Sequence, residues 1–278
     1  MLTELSQLKE AALQIKVDLL TLCAQKSIHI GGDLSVADVM TALWQYQMRY
    51  DPQNPEDESR DRFILSKGHA AAVTSLNQAA IGCFRKEDFF QEYATNGGRF
   101  SMHSCKLVNP FVEVSTGSLG HGLSIGAGIA AGLKRKGNTQ SRVYVVMGDG
   151  EQCEGSVWEA AMHASHYHLG NLVAIVDCNG LEADGTLEEL TGLDDVGQKY
   201  RAFGWNVLEI NGHRMEEIKD AFDQLPPPTA QAPTVIVAHT VKGNGVSFME
   251  GNVNWHAGKM SAEQFEQALR EIAEKAEA

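Results

Sequence analysis

Hydrophobic residues recur at helical spacing at both ends of the chain. Between residues 3 and 24, leucine, isoleucine and alanine side chains fall three or four positions apart, which places them on one face of a predicted helix. Ser35 followed by Asp38 is typical of a helix N-cap, so we expect a second helix to begin there and to run through Trp44. Residues 261–278 predict a charged amphipathic helix.

The middle of the chain alternates continuous apolar runs with amphipathic segments. The runs predict buried strands at 142–147, 172–177, 205–210 and 234–239. The intervening segments predict helices at 155–168, 194–203 and 215–225, and a helix of small residues is predicted around 69–81. Alternating strands and helices favour a parallel sheet covered on both faces. We therefore predict an α/β fold with a doubly wound, mainly parallel sheet, forming one domain over residues 1–278 with an irregular, functional N-terminal third.

Composition and charge exclude some binding partners and indicate a cellular location. The net charge of −13 argues against nucleic acid and anionic membranes as partners, although a local site can still bind a phosphorylated ligand. The five cysteines are odd in number and form no C-x-x-C pair, so we expect no disulfide framework or zinc site and a cytoplasmic location. The N-terminus lacks signal-peptide features, and the small-residue stretch at 117–133 is too short and polar for a membrane span.

Polar residues follow two predicted strands at the point where each strand ends. Gly148, Asp149 and Gly150 follow the first run, and Asn179 follows the second, thirty positions beyond Asp149 (179 − 149 = 30). A strand–helix–strand unit takes about 30 residues, and ligands bind at the carboxyl edge of open α/β sheets. The spacing therefore places Asp149 and Asn179 at this edge, on strands that can be neighbours. For a lone Gly-Asp-Gly, the alternative is a plain turn.

These residue types suit a metal–diphosphate. Mg²⁺ takes about six oxygen ligands, with few from protein. Asp149 offers a carboxylate, Asn179 an amide oxygen and Leu181 a backbone carbonyl. Gly150 lets the backbone approach phosphate because it has no Cβ. A helix that begins near Gly155 would point its N-terminal amides at the anion.

The same segment resembles the thiamine diphosphate motif of transketolases. Residues 148–180 read GDGEQCEGSVWEAAMHASHYHLGNLVAIVDCNG. Four further segments follow in the order of that family: SIHIGGDLSVADVMTALW, DRFILSKGHAA, VEVSTGSLGHGLSIGAGIA and KGNGVSFMEGNVNWH. The resemblance covers nearly the whole chain. It implies the thiamine-diphosphate-binding fold and the part of a transketolase that binds the diphosphate.

The resemblance also implies roles for individual residues. Catalytic histidines that line the cofactor and donor-sugar site are matched by His29, His69, His103 and His256. The cofactor-binding positions are His69, Gly117, Leu119, Gly148, Asp149, Gly150, Glu154, Asn179 and His256. The metal ligands are Asp149, Asn179 and the carbonyl of Leu181, for Mg²⁺ with Ca²⁺ or Mn²⁺ as substitutes. Glu154 matches an acid at the subunit interface, and its alternative is a solvent-facing helix residue.

Two segments depart from the family, and both concern the sugar. The residues around His103 read SMHS, where the family usually has glycine before and proline after the histidine. Phe111 stands where the family often has glycine. These departures leave the donor and acceptor sugars open and make a specialised catabolic route plausible.

Four other residues are expected to have no established catalytic role. His163 and His166 lie three positions apart on a predicted helix, but no third metal ligand is evident. Lys242 is expected at the surface. His121 either contacts the cofactor or fills its loop.

The resemblance implies a transferase that moves a two-carbon ketol unit from a ketose or ketose phosphate to an aldose or aldose phosphate. The family's glutamate near the aminopyrimidine ring belongs to a second domain, which no segment here resembles. We therefore expect a separate subunit that carries the pyrimidine-binding domain, in an α2β2 heterotetramer. The alternatives are a deoxyxylulose-phosphate synthase-like or 2-oxo-acid dehydrogenase-like subunit, and a non-catalytic binding subunit.

Overall fold

The computed structural model describes residues 1–277, which contain a five-stranded parallel sheet. The strands are β1 (Arg62–Leu65), β2 (Val143–Gly148), β3 (Leu172–Cys178), β4 (Asn206–Asn211) and β5 (Thr234–His239). They lie in the order β1-β2-β3-β5-β4, and each neighbouring pair is parallel. Because parallel neighbours need crossover connections, helices separate the strands along the chain. The predicted doubly wound parallel sheet is confirmed.

Ten α-helices surround the sheet over the described residues. They are α1 (Leu5–Gln25), α2 (Ile30–Ala42), α3 (Ala71–Ala80), α4 (Lys86–Glu92), α5 (Gly122–Arg135), α6 (Gly155–His166), α7 (Leu187–Leu190), α8 (Val196–Ala202), α9 (Met215–Asp223) and α10 (Ala262–Glu277). A π-helical turn follows α2 at Leu43–Gln47, and 3-10 turns occupy Gly150–Cys153 and Val253–Trp255. The helix predicted over 261–278 agrees with α10, and Ala278 lies outside the described residues.

Side chains of β2 alternate between two hydrophobic cores on opposite faces of the sheet. Tyr144 and Val146 pack into the core that includes residues of α1, α2 and α3. Val143, Val145 and Met147 pack into the core that includes residues of α5 and α6. Successive strand residues point to opposite faces, so a strand covered on both faces needs apolar residues at every position. This is why β2 could be predicted from a continuous apolar run.

Helix α2 begins at Ile30, five residues before the predicted N-cap (35 − 30 = 5). The prediction was wrong because every residue of α2 is buried, so no polar face marks where the helix starts. Ser35 does not cap the helix, and its hydroxyl proton is shared between the carboxylate of Asp177 and the carbonyl of Gly32, 3.0 Å away. Asp38 instead pairs with Lys16 of α1, with 2.7 Å between carboxylate and ammonium.

Two further sequence expectations concern the cysteines and membrane-spanning helices. All five cysteines are free thiols. Among the helices of residues 1–277, none is both long and apolar enough to cross a membrane.

The carboxyl ends of β2 and β3 lie side by side. Gly148 of β2 is paired in register with Asp177 of β3, so Asp149 and Asn179 leave the sheet at the same edge. β5 runs parallel to β3 on its other side and ends at His239, so the segment that follows it emerges there as well. This edge is where the sequence predicted a ligand site.

Candidate functional site

A cavity of about 310 Å³ lies at this edge of the sheet. Nine of the twelve predicted site residues line it: His69, Leu119, Gly148, Asp149, Gly150, Glu154, Asn179, Leu181 and His256. Its wall also includes residues that the sequence analysis did not predict, among them Lys67, Glu151 and Lys242. Seven separate stretches of the chain therefore meet in one place, at residues 32, 67–69, 119, 148–154, 179–191, 242 and 256.

Of the three remaining predicted residues, His29 and His103 belong to a histidine cluster centred on His29, and Gly117 lies beside the His103 ring. The His29 ring centroid is 5.5 Å from that of His69, 5.4 Å from His103 and 5.5 Å from His256. His69 and His256 are 5.4 Å apart and also line the cavity. A Cβ on Gly117 would lie 3.6 Å from the His103 ring. The structure thus brings all four predicted histidines together.

Burial keeps three of these imidazoles neutral at pH 7. It lowers the pKa of His29 to about 4, with help from the nearby charges of His103 and Lys242. It also lowers the pKa of His256 to about 4 and that of His69 to about 2, and Lys242 and Lys67 add repulsion. The Nδ1 atoms of His29 and His256 are buried and have no hydrogen-bond partner within the described chain. Because buried polar atoms are normally paired, these atoms indicate a polar ligand.

Backbone amides hold the side-chain oxygens of Asp149 and Asn179 in place. Its Oδ1 accepts a hydrogen bond from the amide of Gly150 at 2.8 Å and its Oδ2 from the amide of Gly180. The side-chain oxygen of Asn179 accepts from the amide of Leu181 at 3.1 Å. Burial, with the charge of Asp177, raises the pKa of Asp149 to about 6. A cation that paired with this buried carboxylate would offset the cost of its charge.

These residues fit a magnesium–diphosphate. Within residues 1–277, no group of three or more His, Cys, Asp or Glu side chains could hold a metal unaided. Mg²⁺ instead favours one or two carboxylates completed by phosphate oxygens and water. The cavity wall carries four carboxylates and two ammonium groups, from Asp149, Glu151, Glu154, Glu182, Lys67 and Lys242. Because the carboxylates outnumber the ammonium groups, this wall would repel a bare diphosphate. A divalent cation bound between them would offset the repulsion.

Lys242 is buried, and the expectation that it lies at the surface was wrong. The residue is 4% exposed, and its Nζ donates to the carbonyls of Leu181 at 3.1 Å and Glu182 at 3.2 Å. Burial lowers its pKa to about 8, with repulsion from Lys67 next in size. Its ammonium therefore binds the carbonyl predicted to be a metal ligand. The signal that was missed is its place just after a strand, as for Asp149.

A buried ion pair between Lys67 and Asp177 supports this edge of the sheet, and the sequence analysis did not predict it. Asp177 is fully buried and accepts hydrogen bonds from Lys67, Ser35, Thr240 and Asn179. Burial would raise the pKa of Asp177, but the ammonium of Lys67 and these donors hold it below its usual value. The pair joins the loop after β1, helix α2 and the ends of β3 and β5.

Replacing Lys67 with methionine should destabilise the chain strongly. The substitution leaves the carboxylate of Asp177 buried without its cation, and removing one partner of a buried pair typically costs about 3–5 kcal/mol. We expect a loss of that size in the free energy of unfolding at pH 7, measured by urea denaturation. The matched control is Lys9→Met, which breaks an exposed pair with Glu216 and should change it by about 1 kcal/mol or less.

The destabilisation should also depend on pH in a definite direction. Because pairing lowers the pKa of Asp177, its contribution is present above the unfolded-state value of about 3.9 and is lost as the pH falls through the lower folded-state value. The difference between the wild type and Lys67→Met should therefore shrink in acid. A difference that grew below pH 4 would contradict this role of the pair.

The turn after β2 differs in one respect from the prediction. The 3-10 turn Gly150–Cys153 stands between Asp149 and α6, so the first residue of α6, Gly155, does not line the cavity. The turn is fixed by Gln152, whose side chain donates to the carbonyl of Gly148 at 3.0 Å. Glu154, the N-cap residue of α6, is exposed at the cavity wall.

The residues that depart from the family pattern are used in packing. Met102 packs against the core on the α1 side of the sheet. The ring of Phe111 lies 6.0 Å from that of Phe84, and its carbonyl accepts from Gln78 at 2.9 Å. The contacts of Met102 and of Phe111 shape the loop that carries His103.

The remaining histidines lie apart from the cavity wall. His163 and His166 are exposed on α6, where both rings contact Tyr167. His121 is the exposed N-cap residue of α5.

A family match and the relatives of this chain point to the same class of protein. The family described as "Transketolase, thiamine diphosphate binding domain" matches residues 9–275. A protein of Phocaeicola vulgatus named as one subunit of an apulose-4-phosphate transketolase is 45% identical over 254 residues, which cover 91% of this chain and 88% of the relative. The 6-deoxy-6-sulfo-D-fructose transketolase subunit SqwG of a Clostridium species is 36% identical over 244 residues, or 88% of each chain.

Solved structures agree with these relatives. The transketolase of Leishmania mexicana superposes with a TM-score of 0.85 at 27% identity, covering 98% of this chain. That of Campylobacter jejuni gives a TM-score of 0.87 at 27% identity, covering 96% of this chain. This chain spans only 42% and 43% of those two solved chains.

Proposed function

Because the chain belongs to the transketolase family and matches its thiamine diphosphate binding domain over residues 9–275, we propose that it forms the diphosphate-binding half of a transketolase. The enzyme transfers a two-carbon ketol unit from a ketose to an aldose. The observation that carries the proposal is the convergence of Asp149 and Asn179 with the histidine cluster at one edge of the sheet. A simple binding subunit would not need four clustered imidazoles beside a diphosphate cavity.

The cavity residues would bind the metal and the diphosphate of the cofactor. Asp149, Asn179 and the carbonyl of Leu181 would hold Mg²⁺, with Ca²⁺ or Mn²⁺ as substitutes, and Gly148 and Gly150 leave room for the diphosphate. When bound, thiamine diphosphate supplies the nucleophilic carbon for the ketose carbonyl.

The histidine cluster faces the sugar in this proposal. His29, His69, His103 and His256 donate and accept hydrogen bonds with sugar hydroxyls. Because burial keeps His29 and His256 neutral, the Nδ1 atom of each can accept a proton from a sugar oxygen or return it as the charge on that oxygen changes.

A separate subunit is proposed to complete the site. Two relatives of similar length are named as single subunits of apulose-4-phosphate transketolases, and the solved transketolases are more than twice as long. We propose a C-terminal subunit that carries the pyrimidine-binding domain, in an α2β2 heterotetramer, with the exposed Glu154 near the contact. The five free thiols favour a reducing, cytoplasmic setting for this complex.

The sugars are proposed to carry an anionic group. Relatives are named for apulose-4-phosphate and for 6-deoxy-6-sulfo-D-fructose, so a phosphate or sulfo group is the shared chemistry. These names favour transketolase chemistry over the synthase-like and 2-oxo-acid dehydrogenase-like alternatives. Substrate profiling of the assembled complex with phosphorylated and sulfonated ketoses tests the choice.

Pyrophosphate should bind the full chain in a metal-dependent way. It presents the diphosphate group alone, so it tests the contacts that this chain supplies without the partner. We expect calorimetry to show binding with Mg²⁺ that weakens at least about tenfold, or about 1.4 kcal/mol, when EDTA is added. Added Mn²⁺ should restore it. Equal binding with and without metal would contradict the proposed role of the carboxylate-rich wall.

Isolation of the tagged chain from its native cells, with Mg²⁺ and thiamine diphosphate present, tests the partner. We expect a roughly stoichiometric second protein that contains a pyrimidine-binding domain. If the chain instead purified as a self-assembled oligomer, the proposed division into two subunits would be wrong.

A further inference from the structure

Glu151 is a buried carboxylate to which none of the roles above gives a function. It lies two residues after Asp149, is 2% exposed and contributes to the cavity wall. Its Oε1 accepts hydrogen bonds from the hydroxyl of Ser66 and from the amide of Gly120 at 2.8 Å. Its Oε2 accepts from the amide of Gly148 at 3.2 Å. Glu151 forms no direct ion pair in the described residues, so these hydrogen-bond donors compensate its buried charge, with a smaller contribution from the charge of Lys67.

These donors come from three separate segments of the site. Ser66 directly follows β1 and stands next to Lys67. Gly120 belongs to the glycine loop, which we define as residues 117–122 and which carries the predicted cofactor contacts of positions 117 and 119. Gly148 ends β2 beside the predicted metal ligands. One oxygen of the Glu151 carboxylate therefore accepts from the end of β2, and the other accepts from Ser66 and the glycine loop.

Ser66 extends this connection by a second hydrogen bond. Its hydroxyl donates to Glu151 and accepts from the amide of Gly122, the first residue of α5, at 3.0 Å. A Cβ on Gly122 would lie 2.2 Å from the Ser66 oxygen, so the loop and the serine are in direct contact. Charged hydrogen bonds of this type are stronger than neutral ones, and a buried carboxylate is costly when its donors move away. The arrangement therefore resists separation of the glycine loop from the metal-binding turn.

We propose that Glu151 and Ser66 are positioning residues that set the distance between the diphosphate end of the cavity, at residues 148–150, and the glycine loop. The inference rests on the proposed function, because it concerns a cofactor long enough to touch both places. It adds a role for two residues that were assigned none.

The test compares a ligand that touches both ends with one that touches a single end. Ser66→Ala removes the link through Gly122 to the glycine loop but leaves Glu151 able to accept from Gly120 and Gly148. In the complex of the chain with its partner, we expect calorimetry to show thiamine diphosphate binding weakened about 10–100-fold, the usual scale for groups that orient a metal site. Magnesium pyrophosphate should change by less than about threefold. Glu151→Gln should show the same pattern, since an amide cannot accept at all three donors.

The control variant is Glu159→Gln, which removes an exposed carboxylate from α6 and should leave both affinities unchanged. Equal weakening of both ligands by Ser66→Ala would mean that the pair supports only the diphosphate end, and unchanged binding of both would mean that it positions nothing. Either result overturns the proposal while the proposed function stands. A wild-type complex that bound no thiamine diphosphate would instead refute the proposed function.

Amide hydrogen exchange of the chain alone tests the same idea without any cofactor. Removing the acceptor of the Gly120 or Gly122 amide should favour local opening of the glycine loop. We expect exchange over residues 117–122 to become about tenfold faster in Ser66→Ala and in Glu151→Gln, while β3 keeps its wild-type rate. Unchanged exchange in the loop would overturn the proposal even if cofactor binding could not be measured.

Discussion

Replacing Asp149 with asparagine should abolish most activity of the assembled enzyme without destabilising the metal-free chain. Asp149 is the single carboxylate among the three proposed metal ligands. Asparagine has the same shape but no charge, and one of its two terminal atoms cannot accept from the amides of Gly150 or Gly180. We expect turnover to fall about 100-fold or more, since even groups that only orient metal ligands are worth 10–100-fold.

The free energy of unfolding of the same metal-free variant should rise slightly or stay unchanged. Burial raises the pKa of Asp149 to about 6, which means that its charge opposes folding at pH 7 in the absence of metal. Asparagine removes that penalty and loses one hydrogen bond. The metal-free variant should therefore unfold within a few degrees of the wild type, and Mg²⁺ with pyrophosphate should no longer raise its Tm as they do for the wild type.

Glu182→Gln is the matched control for Asp149→Asn. Glu182 lines the same cavity but is not among the proposed ligands, so turnover should stay within about threefold of wild type. If Glu182→Gln lost as much activity as Asp149→Asn, general cavity charge rather than metal ligation would explain both. If Asp149→Asn kept full activity, the metal site would be wrongly assigned.

Replacing His29 with alanine should lower turnover about 10²–10⁴-fold, the range expected when a positioned acid or base is lost. His29 is the centre of the histidine cluster, and its buried Nδ1 has no partner in the described chain. It does not line the diphosphate cavity, so pyrophosphate affinity should remain close to wild type. Steady-state kinetics of the assembled complex with calorimetry on the same samples separates the two effects.

The control for His29→Ala is His163→Ala, which removes an exposed imidazole from α6 and should leave turnover unchanged. His29→Gln should recover part of the lost activity, because its amide both donates and accepts hydrogen bonds. Wild-type turnover in His29→Ala would remove His29 from the mechanism. Parallel loss of pyrophosphate binding would indicate that the substitution disturbs the whole cavity.

The sheet could be predicted because each of its central strands is recognisable from its own residues. β2, β3 and β5 are covered on both faces, so each is a continuous apolar run that can be recognised without knowledge of its neighbours. The same rule located Asp149 and Asn179, since a polar residue directly after such a run must lie at the carboxyl edge. The start of α2 could not be found in this way, because a helix buried on all sides has no amphipathic period.

The support of the site could not be predicted from local pattern, because it depends on pairs that are distant in sequence. Lys67 and Asp177 are 110 positions apart, and Ser66 and Glu151 are 85 apart. Neither pair has a spacing that a periodic pattern would reveal. Lys242 was missed for a related reason, since its burial depends on the loop that carries Leu181. The four histidines were assigned through the family resemblance, and the structure shows that they meet.

The most direct test of the central claim follows the two-carbon unit itself. The chain and the partner that purifies with it are incubated with Mg²⁺, thiamine diphosphate, an aldose acceptor and phosphorylated or sulfonated ketoses labelled with ¹³C at C1 and C2. NMR should show the labelled pair intact in a new ketose, only when both proteins are present, and much less with Asp149→Asn. A complex that binds thiamine diphosphate but leaves the label in the donor with every sugar, or transfers it equally with Asp149→Asn, would contradict the account.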